Sequence, residues 1–291
     1  MARVLLTGAG GFLAGPLAQR LRGRRPFLSR HRDLDLSDAA SARALVRDAR
    51  PSLVFHLAGR TRPGSWEDYW KSHATATVNL LEALSSEGRP VKVVLVGSAA
   101  EYGAAGGRRV VREDAPLEPL SLYGASKLAQ TLAALSYNRG PVSVVVARLF
   151  NVLGPGTPDN LAPGAFARQV AAIEAGRQPP ELLVGDLSPR RDYLDARDAA
   201  EALLALGARG RGGECYNVGA GRSTSMRAVL DGLLAASTAA VAVRVDPARL
   251  RKAEVQDLAA DARKLRRETG WRPRFTLARS LADTLDWWRG R

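Results

Sequence analysis

The feature that most constrains the fold is a glycine-rich segment, TGAGGFLAG, which directly follows the first apolar run of the chain. Its glycines are residues 8, 10, 11 and 15, and Ala14 stands where a third spaced glycine would complete the repeat. Glycines let the backbone turn tightly and approach a pyrophosphate, whose charge is met by free amides at a helix N-terminus. An ordinary strand-to-helix turn is the alternative. The position after Val4 to Leu6, inside a strand–helix–strand pattern, favours a dinucleotide site.

Short apolar runs alternate with helical patterns along the first half of the chain, and this alternation predicts a parallel α/β sheet. The predicted strands are 3–6, 26–29, 53–57, 91–96 and 142–149, with a further short strand around Asp35. The predicted helices are 12–22, 39–49, 66–86 and 122–137. We therefore expect an α/β fold with a Rossmann-type, doubly wound parallel sheet.

The composition of the sequence changes after Asn151, where the Pro/Gly-rich stretch GPGTPDNLAPG begins. Shorter, mixed elements then continue to the C-terminus. We predict a Rossmann domain at residues 1–150, completed by parts of 193–213, and a smaller C-terminal lobe at 151–291 that holds the substrate.

Composition excludes several classes of protein. No apolar run approaches the roughly 18 to 20 residues that a membrane helix needs, so no membrane partner is expected. The single cysteine and the three scattered histidines form no metal-ligand pattern and fit a reducing cytoplasm. The net charge of +14 is spread along the whole chain, without a basic run or a zinc-finger spacing. We expect no nucleic-acid partner, although some of this charge could hold a diphosphate.

The end of the second predicted strand, FLSRHRDLDL, should decide between the two nicotinamide cofactors. An acid there would bind the ribose of NAD, whereas an arginine would meet the additional phosphate of NADP. Arg30 and Arg32 follow the strand directly, and the acids Asp33 and Asp35 come later. This order favours NADP(H) and leaves NAD(H) possible; the alternative is that both arginines are merely exposed.

A second motif, LYGASKLA, places Tyr123 and Lys127 on one face of a predicted helix. A phenol with an ordinary pKa of about 10 is a poor acid or base at neutral pH until a nearby cation stabilises the phenolate, and Lys127 is predicted to supply that charge. Ser98 lies at the carboxyl end of the fifth predicted strand, where α/β sheets place their reactive groups, and its hydroxyl could hold a substrate oxygen beside Tyr123.

Eight short motifs follow one another along essentially the whole chain. They are TGAGGFLAG, HLAG, GSAAEYG, YGASK, RLFNVLGPG, RRDYLDARD, ECYNVGAG and TGWRPR. In this the chain resembles the extended short-chain dehydrogenases/reductases (the NAD-dependent epimerase/dehydratase family) that act on nucleotide sugars. Within that family it is most similar to the GDP-4-keto-6-deoxy-D-mannose reductases. The resemblance also implies a homodimer.

The resemblance implies a role for each matching position. Ser98, Tyr123 and Lys127 match the catalytic residues. The implied cofactor-binding residues are Gly8, Gly10, Gly11, Phe12, Leu13, Arg30, Asp35, Leu36, Leu57, Ala58, His73, Tyr123 and Lys127. The implied substrate-binding residues are Ser98, Asn151, Arg191 and Arg251. Three positions depart from the family pattern: Ala14, His73 in place of an asparagine, and Lys252 in place of a proline.

The residues after Ser98 bear on the reaction. Dehydratases of the family carry an Asp-Glu pair there, because eliminating water requires two proton transfers. Ala99 and Ala100 cannot move protons, and strand-like alternation would send Glu101 to the opposite side from Ala100. We therefore expect hydride transfer without elimination. Reduction of a 4-keto sugar is favoured, a 4-epimerase with retained NAD is the alternative, and a non-catalytic sensor is the third reading.

Overall fold

The chain alternates strands and helices throughout the residues that the computed structural model describes, which are 3–30, 34–62, 64–107, 110–250 and 255–291. The strands are β1 (Val4–Thr7), β2 (Phe27–Ser29), β3 (Leu53–His56), β4 (Val91–Ser98), β5 (Val110–Val111), β6 (Val142–Leu149), β7 (Asn151–Leu153), β8 (Glu181–Val184), β9 (Arg190–Asp195), β10 (Cys215–Val218), β11 (Ser223–Ser225), β12 (Ala242–Val245) and β13 (Asp257–Ala260). The α-helices are α1 (Ala14–Leu21), α2 (Ala39–Ala49), α3 (Trp66–Trp70), α4 (Ala76–Ser86), α5 (Leu122–Ser136), α6 (Ala162–Glu174), α7 (Ala196–Arg209), α8 (Met226–Ala235), α9 (Arg263–Thr269) and α10 (Leu277–Arg289).

Six parallel strands form the central sheet in the order β2-β1-β3-β4-β6-β10. Apolar residues of α1, α7 and α9 cover one face of the sheet, and those of α2, α4 and α5 cover the other. The carboxyl ends of the strands therefore lie along one edge, where parallel sheets place their ligands. The predicted Rossmann-type doubly wound sheet is confirmed.

The predicted elements agree with the structure to different degrees. The bounds of β6 and α2 were predicted correctly, whereas β4 runs on to Ser98. The helix predicted at 66–86 is interrupted by a π-helical turn, Lys71–Thr75. The short strand predicted around Asp35 is wrong, because the Asp35 carboxylate accepts a hydrogen bond from the Ser37 amide and the backbone turns there toward α2.

The residues after β6 form a second group of strands and helices, and two of their elements also add to the central sheet. Strands β11, β9, β13 and β5 form a second sheet, with β7 paired to β9, and β8 pairs with β12. Helices α6, α8 and α10 pack around a separate apolar cluster. Helix α7, within the predicted range 193–213, packs on the central sheet, and β10, just beyond that range, forms its edge. Cys215 lies in that edge strand and is half-buried.

Candidate active site

The glycine turn lies between the end of β1 and the start of α1. Gly8 has a φ of +69°, and a Cβ on it would stand 2.7 Å from the Ala58 nitrogen. The Gly11 amide donates to the Gly8 carbonyl at 3.0 Å, which closes the turn. Only glycine satisfies both the left-handed backbone and the close approach to Ala58. The turn therefore brings the backbone of two neighbouring strand ends together below the N-terminus of α1.

A cleft of about 870 Å³ opens at this turn, a volume that suits a dinucleotide. Of the predicted cofactor-binding residues, its walls include Gly8, Gly10, Gly11, Arg30, Asp35, Leu36, Leu57 and Ala58. The glycine cradle and the apolar walls fit a nicotinamide dinucleotide, and Arg30 lies in the same cleft. The walls also contain Arg60, Arg62 and Lys71, which sequence reasoning missed because no motif marks them.

Two predicted cofactor residues follow the glycine turn. The Phe12 ring lies beside Gly156, in the turn after β7, and so links the first motif to the second half of the chain. Leu13 occupies the N-cap position of α1 and packs against the core. Arg32 lies outside the described residues.

The three predicted catalytic residues come together at the ends of β4 and α5. Ser98 is the last residue of β4, lies beside the Tyr123 phenol, and its hydroxyl accepts from the Ala100 amide at 3.2 Å. Lys127, one turn further along α5, is 4% exposed. Its ammonium donates to the Val96 carbonyl at 2.6 Å and to Gln130 Oε1. The helix is capped by Ser121, whose hydroxyl accepts from the Gly124 amide.

The pKa of Tyr123 is not lowered in the way that the nearby Lys127 ammonium was expected to lower it. Burial raises the pKa of Tyr123, and the neighbouring Ser98 side chain opposes that rise only in part. Burial also lowers the pKa of Lys127 to about 8, and its ammonium donates to Val96 and Gln130. Tyr123 is therefore protonated at neutral pH, which makes it a proton donor rather than a base.

His73 lies in the π-helical turn and packs against the catalytic tyrosine. Its ring centroid is 5.5 Å from that of Tyr123 in an edge-on arrangement, and its Nδ1 is 2.9 Å from the Ser126 hydroxyl. Tyr69 stacks on the imidazole at 5.9 Å and also packs against Tyr123, with ring centroids 5.8 Å apart. Burial and then the Lys127 charge lower the pKa of His73 to about 3, so the ring is neutral. π-Helical turns often mark functional sites.

A buried chain of polar side chains leads away from Lys127. Gln130 Nε2 donates to the Thr77 hydroxyl at 2.7 Å, and the same hydroxyl is 2.9 Å from His56 Nε2. His56 Nδ1 is 2.6 Å from the hydroxyl of Thr7, at the end of β1. The only sequence signal for this series of hydrogen bonds is the spacing of Gln130, three residues after Lys127 on one helix face.

Glu101 does not follow the strand-like alternation that was expected, because Ala99–Glu101 forms a 3₁₀ turn. Its side chain folds back beneath Ser98 and is fully buried. The carboxylate meets Arg148 of β6, whose Nε donates to Glu101 Oε2 at 2.8 Å. Sequence reasoning missed this pair; its signal is one acid in the otherwise uncharged segment GSAAEYG.

The predicted substrate-binding residues lie on the second sheet. Asn151 begins β7 and pairs with Tyr193 of β9, two positions from Arg191 on that strand. Arg191 Nη1 donates to the carbonyl of Arg190 at 2.8 Å, and burial lowers the pKa of Arg191. Arg251 lies outside the described residues. Throughout the described ranges, no group of three or more His, Cys, Asp or Glu side chains is arranged to hold a metal ion, and no helix is long and apolar enough to cross a membrane.

This site and fold define an extended short-chain dehydrogenase/reductase, and the comparison with known families agrees. The chain belongs to the family described as GDP-mannose 4,6 dehydratase, which it matches over residues 25–284. The relatives are enzymes named for nucleotide-sugar reactions, and the family binds nicotinamide cofactors.

Three similar proteins are informative. The chain is 32% identical to the GDP-6-deoxy-D-mannose reductase of Pseudomonas aeruginosa over 99% of this chain and 98% of that protein. The structure of RMD from Pseudomonas aeruginosa complexed with NADPH has a TM-score of 0.91 at 30% identity and covers 100% of this chain and 99% of that one. The Thermus thermophilus UDP-glucose 4-epimerase in complex with NAD has a TM-score of 0.85 at 27% identity and covers 99% of each chain. Together with the family description, they support an NAD(P)-dependent reductase, dehydratase or epimerase activity on a nucleotide sugar.

Proposed function

We propose that this chain reduces a nucleotide-diphospho-4-keto-6-deoxy sugar to the 6-deoxy sugar, with NADPH as the favoured cofactor. The observation that carries the proposal is a half-buried, protonated Tyr123 beside Ser98, which ends the strand that continues into two alanines. A protonated phenol suits a reaction that ends by giving a proton to an alkoxide.

Each residue of the site has a separate role in the proposed reaction. The glycine turn at Gly8 and Gly11 receives the cofactor pyrophosphate, and Arg30 meets the additional phosphate of NADPH. When bound, this cofactor supplies the hydride. Ser98 holds the keto oxygen of the sugar beside Tyr123, which delivers its proton to that oxygen. The buried Lys127 ammonium stabilises the charge left on the phenolate.

Elimination of water is not part of the proposed reaction, although the family is described by a dehydratase. Ala99 is buried and Ala100 is half-buried in the 3₁₀ turn, and neither side chain can carry a proton. Glu101 is held by Arg148 beneath Ser98 and points away from a substrate on the Ser98 hydroxyl. The nearby acids therefore do not supply a second proton transfer.

The substrate diphosphate is assigned to the second sheet. Asn151 and Arg191 lie on the paired strands β7 and β9, and a guanidinium can bind phosphate oxygens in pairs. Arg251 belongs to this proposal by resemblance. Residues 1–150, completed by parts of 193–213, then serve the cofactor, and residues 151–291 serve the sugar nucleotide.

A 4-epimerase with retained NAD is the second candidate, since the Thermus thermophilus neighbour is an epimerase in complex with NAD. The two functions separate at the cofactor: a reductase must release it oxidised after each turnover, whereas an epimerase regenerates it. A non-catalytic sensor would show no turnover, and the assembled Ser98, Tyr123 and Lys127 group weighs against it.

We also propose a cytoplasmic homodimer. Exposed apolar side chains on α3 and α5 offer the surface: Trp66, Trp70, Leu122 and Leu132, the last of them 58% exposed. Sedimentation equilibrium of the native chain and of Leu132→Glu tests this, since the charge should give monomers. A monomeric native chain would contradict the homodimer.

Replacing Tyr123 by phenylalanine tests the catalytic assignment. Tyr123→Phe deletes only the proton donor and should retain cofactor binding while turnover falls roughly 10²- to 10⁴-fold. The matched control is Tyr137→Phe at the end of the same helix. The Tyr137 hydroxyl donates to Glu82 Oε1 at 3.1 Å, and this variant should keep normal turnover. A Tyr123→Phe variant with near-normal turnover would remove Tyr123 from the mechanism.

A further inference from the structure

The carboxylate of Glu101 is the most heavily bonded buried acid beside the catalytic group. Its Oε1 accepts from the Ser98 amide at 2.8 Å and from the Thr131 hydroxyl at 3.1 Å. Its Oε2 accepts from Arg148 Nε at 2.8 Å. These partners lie on three different elements, β4, α5 and β6. One side chain therefore links the strand that ends in Ser98 to the helix that carries Tyr123 and Lys127.

The Glu101 carboxylate is tightly packed. A Cβ on Gly97 would stand 2.7 Å from Glu101 Oε1, so the strand backbone before Ser98 lies directly against the acid. Arg148 is fixed in turn, since its Nη1 is 3.3 Å from the Tyr102 hydroxyl and 3.3 Å from the Glu113 carbonyl. A shift of Glu101 would therefore move the Ser98 amide with it.

The carboxylate is also a buried charge near groups that titrate. Facing it are Arg148 on β6, Tyr123 and Lys127 on α5 and Cys215 on β10. The Glu101 charge raises the pKa values of both Tyr123 and Lys127.

Lys127 is faced by two further titratable groups, His56 of β3 and His73 of the π-helical turn. Burial first, and the Lys127 charge second, lower the pKa of each histidine to about 3, so both rings are neutral. Glu101 is consequently the acid that favours the protonated form of Lys127.

We propose that Glu101 is a positioning residue for the catalytic group: it fixes the Ser98 backbone and, through Thr131, holds a buried carboxylate against the helix that carries Lys127. It touches neither substrate nor cofactor. Burying an ion pair is weak evidence for stability alone, because desolvation offsets much of the attraction. A role in the catalytic site explains why Glu101 is buried where it accepts a hydrogen bond from Ser98 and faces Lys127. This inference rests on the catalytic roles proposed above.

The first test neutralises the acid and reads the lysine directly. The chain has five lysines, so NMR titration of ¹³C-labelled lysine can follow Lys127 separately. Glu101→Gln should lower the pKa of Lys127 by about 1 unit, the lower end of the effect of an adjacent charge. Since this variant leaves Arg148 unpaired, Glu101→Gln/Arg148→Met, which removes both buried charges, serves as the second variant. An unchanged Lys127 titration in the folded variants would overturn the proposal.

Glu113→Gln is the matched control. Glu113 is a partly buried acid whose Oε1 accepts from the Asn217 amide and whose carbonyl accepts from Arg148. It is not among the charges that act on Tyr123 or Lys127. The Lys127 titration should stay unchanged in this variant. A shift as large as that of Glu101→Gln would show that any acid near Arg148 has the same effect, and would also overturn the proposal.

The second readout is turnover of GDP-4-keto-6-deoxy-D-mannose with NADPH as a function of pH. The reaction needs Tyr123 and Lys127 protonated, so the alkaline limb of kcat/KM should move to lower pH by about 1 unit in both Glu101 variants. The kcat value should fall roughly 10-fold, with NADPH binding unchanged. An unmoved alkaline limb would contradict the proposal. Failure of the proposed function is separate: it appears as near-normal turnover of Tyr123→Phe, and it leaves the NMR result standing.

Discussion

Gly124, the residue after the catalytic tyrosine, offers a direct test of the site geometry. A Cβ at this position would stand 2.5 Å from the Ala100 carbonyl oxygen and 3.1 Å from Pro119 Cβ. Ordinary contacts need about 3.5 Å, so in Gly124→Ala the helix α5 and the turn after Ser98 must separate by about 1 Å. That displacement acts between Tyr123 and Ser98, which is where the proposed chemistry takes place.

The expected magnitudes follow from two opposing effects. Overpacking against backbone costs about 1 to 3 kcal/mol, while alanine stabilises a helix by about 1 kcal/mol relative to glycine. The free energy of unfolding should therefore fall by only about 0 to 2 kcal/mol. Because a misplacement of about 1 Å can cost about 100-fold in rate, kcat should fall roughly 10- to 100-fold.

The assay combines thermal unfolding with steady-state kinetics on NADPH and the keto sugar. Gly23→Ala is the control, since a Cβ on Gly23 meets nothing within 4 Å and the residue lies outside the site. This control should keep its activity and its stability. A Gly124→Ala enzyme with normal kcat would refute the claim that Tyr123 and Ser98 must be held in this spacing.

Three further predictions concern the cofactor, the substrate and acid stability. Arg30→Ala should weaken NADPH binding roughly 10- to 100-fold, as for loss of a charged hydrogen bond, and leave NADH binding nearly unchanged in fluorescence titrations; equal losses would show that Arg30 does not meet the phosphate. Arg191→Ala should weaken sugar-nucleotide binding far more than cofactor binding by calorimetry, and a comparable loss of both would remove Arg191 from the diphosphate site. Burial lowers the pKa of His56 from 6.5 to about 3, so its contribution to stability is present above pH 6.5 and is lost as the pH falls toward 3. Urea unfolding at pH 5 should show a loss of about 2 kcal/mol from this group, which His56→Asn should abolish; the same acid dependence in that variant would contradict the assignment.

The sequence was most informative where one residue type meets a local backbone demand. Gly8 was readable because a left-handed turn against Ala58 accepts only glycine, and the pairing of Tyr123 with Lys127 was readable because helix periodicity places them together. Apolar runs located the central strands for the same reason, since buried parallel strands read as continuous apolar segments.

What could not be predicted depends on contacts between distant segments. Glu101 and Arg148 are 47 residues apart and meet only because β4 and β6 are adjacent. The hydrogen-bonded path from Lys127 to Thr7 likewise joins two helices, α5 and α4, and two strands, β3 and β1. The expected lowering of the Tyr123 pKa is not found, because burial, which spacing does not reveal, dominates the pKa of the phenol.

The most direct test of the central claim is the cofactor balance of a single reaction. Purified protein is mixed with NADPH and a limiting amount of GDP-4-keto-6-deoxy-D-mannose, and the nicotinamide absorbance is followed while the sugar product is quantified. The proposed reductase should consume one NADPH for each keto sugar and release the oxidised cofactor. Firmly retained NAD, with interconversion of 4-epimers and no net change in absorbance, would contradict the reductase and the role given to Arg30.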